Sequence, residues 1–305
     1  MNVIAARPWL LALSFGSFMM LNGCAKKSVA HPTDTTAYET HIEHWHATRV
    51  ANLTAPDGWL SLAGLFWLNE GENDFGTDRA NPVVLPRGQS KGGTLVKEGV
   101  DVTLFPADQV ILDARSAIEP VPLADDSSGS PTIVTYNEAN FYVIRRGERQ
   151  GVRVKDPLNK AIEAFSGIER FKVNPTYRVK AAYLKHATPQ TLNTVNILGD
   201  PVEMTSYGHL TFQLGETKLT LRPSQSEEDG EMFLIVGDQT NAVSTYGGGR
   251  FLYADAPSEN GEVILDFNKL ISPPCAFTPF ATCPRPPESN QLPISVFAGE
   301  KVDLE

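Results

Sequence analysis

Apolar residues in the first part of the chain are spaced as they would be on one face of a helix. They are Tyr38, Ile42, Trp45 and Leu53. A side-chain oxygen of Thr35 or Thr36 can cap the first turn. The pattern therefore predicts a short N-terminal helix with one apolar face.

The pattern changes at Trp59 to short apolar stretches, separated by Gly, Pro, Asn and Asp at intervals of about ten residues. This alternation of short apolar stretches and turn-forming residues is typical of a β-sandwich or a β-barrel. Strands are predicted at 65–68, 73–76, 83–85, 93–97, 100–105, 110–113, 132–136, 141–146 and 152–155.

The second half of the chain is also rich in strand patterns. Apolar and polar residues alternate through 194–225, and the segment 209–223 forms a hairpin pattern about a Gly215-Glu216 turn. We therefore predict a mostly β protein with a short N-terminal helix and two β-rich parts. Residues 38–150 hold the helix and an N-terminal β-sandwich, and residues 151–305 form a C-terminal antiparallel β domain.

The N-terminal segment has the features of a bacterial export signal. Arg7 precedes an apolar run from Trp9 to Leu21, which has the length of a signal-peptide core and is too short to span a bilayer. The run ends in Leu-Asn-Gly-Cys24, which resembles a lipobox. The resemblance implies that residues 1–23 are removed, that Cys24 is lipidated, and that 24–37 form a tether. The alternative is an ordinary cleaved signal with an accidental cysteine.

The resemblance also implies a cellular location. Ala25 follows the cysteine, in the place where lipoproteins that stay in the inner membrane have an aspartate. The expected location is the cell envelope, lipid-anchored in the outer membrane and facing the periplasm.

The net charge of −10 argues against a general attraction to nucleic acid or to anionic lipid. Phosphate-binding loops, nucleophile elbows, HExxH and paired-cysteine zinc patterns do not occur in the sequence. We predict no cofactor, no metal and no nucleic-acid partner. The expected partners are the membrane, reached through the lipid, and a small anionic ligand held by a local cluster of charge.

Two cysteines remain once Cys24 is assigned to the lipid. Cys275 and Cys283 lie in a proline-rich segment, and in an oxidising envelope such a pair is most economically a disulfide. Two further interpretations stay open, namely a pair of free buried thiols and a pair with a chemical function.

Several stretches together resemble the bacterial domain-of-unknown-function family 1684. They are 57–71, 143–157, 245–255 and 265–301, the last with Asp-Phe-Asn, Pro-Pro-Cys-Ala-Phe, Ala-Thr-Cys-Pro and Ala-Gly-Glu in order. The resemblance covers the chain from about residue 57 to its end and implies no reaction. The segment 65–96 also resembles the opening of a forkhead-associated (FHA-like) β-sandwich, with Arg79 and Ser90 near the phosphothreonine-binding positions. Gly92 and Gly93 stand where that family has a histidine, so phosphopeptide binding is not expected.

One candidate site lies on the hairpin 141–155. A loop centred on Arg149 would place Arg153 across from Arg145 or Arg146, and two like charges there are destabilising unless an anion lies between them. That anion is either a carboxylate of the protein, such as Asp156 or Glu169, or part of a ligand.

A second candidate is the segment Tyr246-Gly-Gly-Gly-Arg250. Its glycines allow a close backbone approach to an anion, or they form a tight turn. Asp266 and Asn268 of the Asp-Phe-Asn motif complete the candidate set. The leading hypothesis is a binding or accessory module with an anion-receptive pocket. The alternative is a hydrolase-type enzyme built from Arg, Tyr and Asp of the C-terminal part, and Ser206 with His209 offers a weak nucleophile–base pair.

Overall fold

The computed structural model of the protein describes residues 34–107, 110–112, 115–225 and 230–302. The predicted signal segment and Cys24 lie outside the described residues. Helix α1 runs from Thr35 to Thr54, and the carboxylate of Asp34 caps it by accepting from the backbone N–H of Thr36 and Ala37. The cap thus lies one residue before the predicted one. No helix in the described ranges is long and apolar enough to cross a bilayer.

The N-terminal half is a β-sandwich of two sheets, as predicted. The first sheet has the order β1-β11-β10-β9-β6-β7 and the second the order β3-β2-β4-β5-β8. The strands are β1 Leu62–Trp67, β2 Gly71–Gly76, β3 Val83–Val84, β4 Gly93–Glu98, β5 Asp101–Pro106, β6 Val110–Leu112, β7 Arg115–Ser116, β8 Val121–Pro122, β9 Val134–Tyr136, β10 Ala139–Arg146 and β11 Arg149–Lys155.

The inward faces of the two sheets form one apolar core. Phe75 and Leu104 of the second sheet meet Phe141 and Val152 of the first, and all four are buried. The rings of Phe75 and Phe141 lie 5.2 Å apart. The FHA-like resemblance of this half stays a prediction. Ser90 uses its backbone carbonyl to accept from the Asn81 side-chain amide.

The register predicted for the β10–β11 hairpin is wrong. The turn has only two residues, Gly147 and Glu148, and Gly147 adopts a φ of 62°, which favours glycine. Arg153 consequently lies across from Tyr142, not from Arg145 or Arg146. Because β11 pairs with both β1 and β10, the first sheet includes residues up to Lys155.

The C-terminal half contains two further antiparallel sheets. One has the order β14-β13-β12-β18 and the other the order β15-β16-β17. The strands are β12 Arg178–Val195, β13 Pro201–Leu214, β14 Thr217–Leu221, β15 Ser224–Gln225, β16 Met232–Val236, β17 Arg250–Ala254 and β18 Glu262–Asp266, and a short helix α2 spans Lys160–Glu163. Leu210, Leu234, Leu252 and Phe267 are fully buried in a core of their own. The mostly β prediction is confirmed.

Strands β12 and β13 continue past this core as a two-stranded ribbon that reaches the sandwich. Near its tip, Arg149 of β11 donates to the Asp200 carboxylate and stacks on the Trp67 ring, 4.1 Å from its centroid. The cysteine-containing segment follows the ribbon, because the Ile197 N–H donates to the carbonyl of Cys283 at 3.0 Å. This segment therefore lies at the junction of the two β-rich parts.

Candidate functional site

A cleft of about 690 Å³ lies between helix α1 and the edge of the C-terminal sheets. Its wall combines aromatic rings with charged side chains of both signs. The lining residues that carry these groups are Tyr38, His41, Trp45, Arg178, Glu231, Tyr253, Asp255, Asp266 and Lys269. The volume falls within the range of small-molecule sites in proteins.

A hydrogen-bonded network forms the inner end of the cleft. The Tyr38 hydroxyl donates to the Asp266 carboxylate at 2.8 Å and accepts from the Asn268 side-chain amide at 2.9 Å. Asn268 also donates to the carbonyl of Asn174. Burial, followed by the charge of Asp266, raises the pKa of Tyr38, so its phenol stays protonated as a donor.

Two cations line the cleft without an ion-pair partner among the residues that the structure describes. Arg178, at the start of β12, lies across from Asp266 of β18. Within the described ranges, however, neither Arg178 nor Lys269 has a carboxylate at salt-bridge distance. Because Tyr38 and Asn268 already satisfy Asp266, the guanidinium of Arg178 remains available to a ligand.

Two aromatic rings stand beside these cations. The Lys269 ammonium lies 5.8 Å from the centroid of the Trp45 ring. Tyr253 is half exposed, and its inner face packs on Phe233 with ring centroids 5.1 Å apart. Glu231 and Asp255 give the wall an acidic part. The cleft therefore combines aromatic rings, cationic groups and carboxylates in one wall.

Among the site residues predicted from the sequence, the structure places Asp266 in the wall of this cleft and Asn268 directly behind it. It places Arg250 elsewhere, with 0% of its side chain exposed. The guanidinium donates to Asp238 at 2.8 Å and to the carbonyls of Val296 and Ala298. Burial lowers the pKa of Arg250, and the carboxylate of Asp238 opposes that effect. This arginine is thus enclosed by protein groups.

The glycine run before Arg250 matches the tight-turn alternative. Gly249 has a φ of 83°, and a Cβ at this position would lie 2.3 Å from Pro286. Tyr246 is half-buried, and its hydroxyl has no hydrogen-bond partner in the part of the chain that the structure describes. Burial and the neighbouring Cys275 and Cys283 raise its pKa.

Internal pairing of Arg153 with Asp156 or Glu169, one of the two alternatives drawn from the sequence, is wrong. Asp156 accepts from Arg87 at 3.1 Å, and Glu169 pairs with Lys301. Asp156 and Glu169 are close to Arg153 in the sequence but do not contact it, because the Arg153 side chain lies next to the cysteine segment. Arg145 lies on the surface, where its Nε donates to the carbonyl of Gly147.

Arg153 is buried at the junction, with 4% of its surface exposed. It donates to the hydroxyls of Tyr142 and Thr282, each at 3.3 Å, and lies over the Trp59 ring. Its Nε has no partner among the described residues. The cleft beside α1 does not include it.

The structure has Cys275 and Cys283 as free thiols. The N–H of each donates to the sulfur of the other, at 3.2 and 3.1 Å. The predicted disulfide therefore stays a prediction. Ser206 is fully buried and donates to the carbonyl of Gly208, so its hydroxyl is not directed at His209. Within the described residues, no group of three or more His, Cys, Asp or Glu side chains could hold a metal ion.

Sequence reasoning missed most of the cleft residues as site residues. Tyr38 and Trp45 were predicted only as part of the apolar face of the helix. Their aromatic rings, with acidic and basic residues nearby in the sequence, were the signal that could have indicated a binding site. The sequence contains no comparable signal for Arg178, Tyr253 and Lys269, because these residues come close to α1 only through the tertiary fold.

Comparison with known proteins identifies a matching family model and similar solved structures. A family model described as "Protein of unknown function (DUF1684)" matches residues 163–301. The chain is also similar to an uncharacterized protein of Haloarcula marismortui with a solution NMR structure, at 33% identity. That alignment covers 47% of this chain and 80% of the other, with a TM-score of 0.40. No curated protein matches. The region matched by the family model contains Arg178, Asp266, Cys275 and Cys283.

Proposed function

We propose that this chain, which belongs to the DUF1684 family of proteins of unknown function, is an envelope lipoprotein that binds a small planar organic anion in the cleft beside α1. The observation that carries the proposal is the pair of cations, Arg178 and Lys269, which line the cleft without an ion-pair partner among the described residues. A ligand carboxylate or phosphate would supply the missing negative charge through charge-assisted hydrogen bonds.

The aromatic residues favour a planar ligand over a simple inorganic anion. Trp45 and Tyr253 offer ring faces at the cleft wall, and half of the Tyr253 surface is exposed. Stacking on such faces is favourable for any flat conjugated group. Glu231 and Asp255 could accept hydrogen bonds from hydroxyl or amino groups of the same ligand.

The envelope address rests on the sequence of the first residues. The lipobox-like Leu-Asn-Gly-Cys24 supports a lipid anchor, and the residues after it support the outer membrane facing the periplasm. In that compartment the Cys275–Cys283 pair is expected to become a disulfide.

The binding proposal is tested with three planar anions, namely benzoate, phenyl phosphate and adenosine monophosphate. Calorimetric titrations are made on the detergent-solubilised protein and on Arg178→Met and Lys269→Met. Loss of one charged hydrogen-bond donor costs about 1.5–3 kcal/mol, so the affinity should fall by roughly tenfold to a hundredfold.

The matched control is Arg145→Met, which removes an arginine on the protein surface. It should leave binding unchanged. Equal loss of affinity in Arg145→Met would reveal a nonspecific charge effect. The absence of binding for all three anions would contradict the proposal for this ligand class.

A further inference from the structure

The two thiols at the junction differ in their exposure. Cys283 is buried, with 6% exposed, in an apolar cluster with Ile235, Phe251 and Ala281. Cys275 is only partly buried. A molecule from solvent can therefore approach Cys275 more readily than Cys283.

The two sulfur atoms are held together by the backbone. Each accepts the backbone N–H of the other residue, and prolines flank both positions. The Ile197 N–H and the Thr282 hydroxyl fix the same segment to the ribbon and to Arg153. The two sulfurs are thus held close to each other, next to the ribbon and Arg153.

The charge beside the pair is unusual, because Arg153 is a buried cation without a carboxylate partner in the described part of the chain. Its hydrogen-bond partners, Tyr142 and Thr282, are neutral. A buried charge is costly unless an opposite charge accompanies it. A thiolate at Cys275 would meet this need, since Tyr246, the other acidic group facing the thiols, has a raised pKa. The charge of Arg285 acts on Tyr246 in the opposite direction and lowers its pKa, but burial outweighs it.

The effect of these neighbours differs between the two thiols. The hydrogen bond with Cys283 and, to a smaller extent, the charge of Arg153 hold the pKa of Cys275 below its ordinary value. The pKa of Cys283 is raised by the same hydrogen bond and by burial. The less buried thiol, with the lowered pKa, is the one suited to act as the nucleophile in exchange reactions.

We propose that Cys275 and Cys283 form a thiol–disulfide exchange site for small-molecule or protein disulfides. Cys275 is the nucleophile in the first step, and its sulfur is attacked by Cys283 in the second. The Cys275 thiolate attacks a disulfide RSSR, forms a Cys275–SR bond and releases RS⁻, which takes up the proton lost by Cys275. The Cys283 thiol then loses its proton, attacks the Cys275 sulfur and releases the second RS⁻, which takes up that proton. One disulfide is consumed and one is formed, together with two RSH.

Arg153 makes this bridge easier to reduce than a purely structural one. Formation of the bridge removes the thiolate and leaves the guanidinium uncompensated, so the dithiol state is favoured. This property concerns the junction and is independent of ligand binding in the cleft.

The test uses glutathione as the probe on the solubilised full-length protein. Oxidised glutathione should form a mixed disulfide at Cys275 in the Cys283→Ser variant. In the Cys275→Ser variant, the mixed disulfide at Cys283 should form much more slowly. Peptide mass spectrometry measures both rates. Reduced glutathione alone should reduce the bridge of the wild type. Equal labelling of the two cysteines, or a bridge that only dithiothreitol opens, would overturn the proposal.

The role of Arg153 is tested by the pH profile of Cys275 alkylation with iodoacetamide. In Arg153→Met the profile should move toward higher pH, and alkylation near neutral pH should become slower, because less of Cys275 is then thiolate. Arg153→Lys should keep most of the wild-type rate, and it serves as the folded comparison if Arg153→Met is unstable. Arg145→Met should leave the profile unchanged. An unshifted profile in folded Arg153→Met, or a Lys variant as slow as the Met variant, would contradict the role of its charge.

Discussion

The Tyr38 hydroxyl donates to the Asp266 carboxylate at 2.8 and 2.9 Å, and the two residues are 228 positions apart in the sequence. This bond fastens the N-terminal helix to the end of strand β18. It also closes the inner end of the cleft, so the geometry of the proposed binding site depends on a contact between two segments that are far apart in the sequence.

Tyr38→Phe should reduce the free energy of unfolding by about 1–3 kcal/mol, because Asp266 and Asn268 are buried and lose a partner. Urea unfolding measures the change. Tyr253→Phe provides the matched control in the same cleft, since Tyr253 is half exposed, and it should change stability by less than about 0.5 kcal/mol. Similar effects of both variants would mean that the Tyr38 network contributes little.

Arg250 and Asp238 form a buried ion pair in which both side chains have 0% exposure. Arg250→Met should cost about 3–5 kcal/mol of folding stability, because it leaves a buried carboxylate without its cation. Asp238→Asn leaves the guanidinium uncompensated and should also be destabilising. The double variant should cost less than the sum of the two, and chemical denaturation of all four proteins measures the coupling.

Additive effects in this cycle would contradict the assignment of Arg250 to a structural pair. The same variants also separate structure from binding. Folded Arg250→Met should bind the planar anions with the wild-type affinity, whereas Arg178→Met should lose binding with little loss of stability.

The contact of Asp200 with Arg149 should make stability depend on acid pH. The hydrogen bond from Asn196, followed by Arg149, holds the pKa of Asp200 below its ordinary value of 3.8. A depressed pKa stabilises the folded state above the ordinary value, and this contribution is lost as the pH falls through the folded-state pKa. Asp200→Asn should therefore be less stable than the wild type near neutral pH and should approach it in acid.

The expected difference at neutral pH is about 0.2–1 kcal/mol, because 46% of the Arg149 side chain is exposed to solvent. Urea titrations at several pH values measure it. Asp57→Asn is the control, since Asp57 has no ion-pair partner among the described residues. A difference between Asp200→Asn and the wild type that persists unchanged into acid would contradict this electrostatic origin.

The sequence was sufficient to predict the elements whose signal is local. The apolar face of α1 and the alternating strands of the sandwich follow from side-chain periodicity, which a single segment contains in full. The hairpin of β13 and β14 was predicted correctly because Gly215-Glu216 is a short turn between regular strands. Small errors arose where one residue decides the geometry, as in the turn at Gly147 that changed the partner of Arg153.

The cleft could not be predicted in the same way. Arg178 gains its place from the pairing of β12 with β18, and Tyr38 reaches Asp266 only after α1 packs on the C-terminal sheet. Such contacts between distant segments depend on the order of strands, which single-sequence patterns do not specify. Asp266 was nevertheless identified as a candidate, because the Asp-Phe-Asn motif carried the family resemblance.

The lipid anchor gives the last prediction. If Cys24 is lipidated, as the lipobox-like sequence indicates, the mature protein should partition into the detergent phase of a membrane extract. Cys24→Ser removes the acceptor sulfur and should move the protein to the soluble envelope fraction. Cys275→Ser is the matched control, because it replaces a cysteine at the junction and should leave membrane partition unchanged. If Cys24→Ser stays in the detergent phase, the chain must be held at the membrane by other means than this lipid.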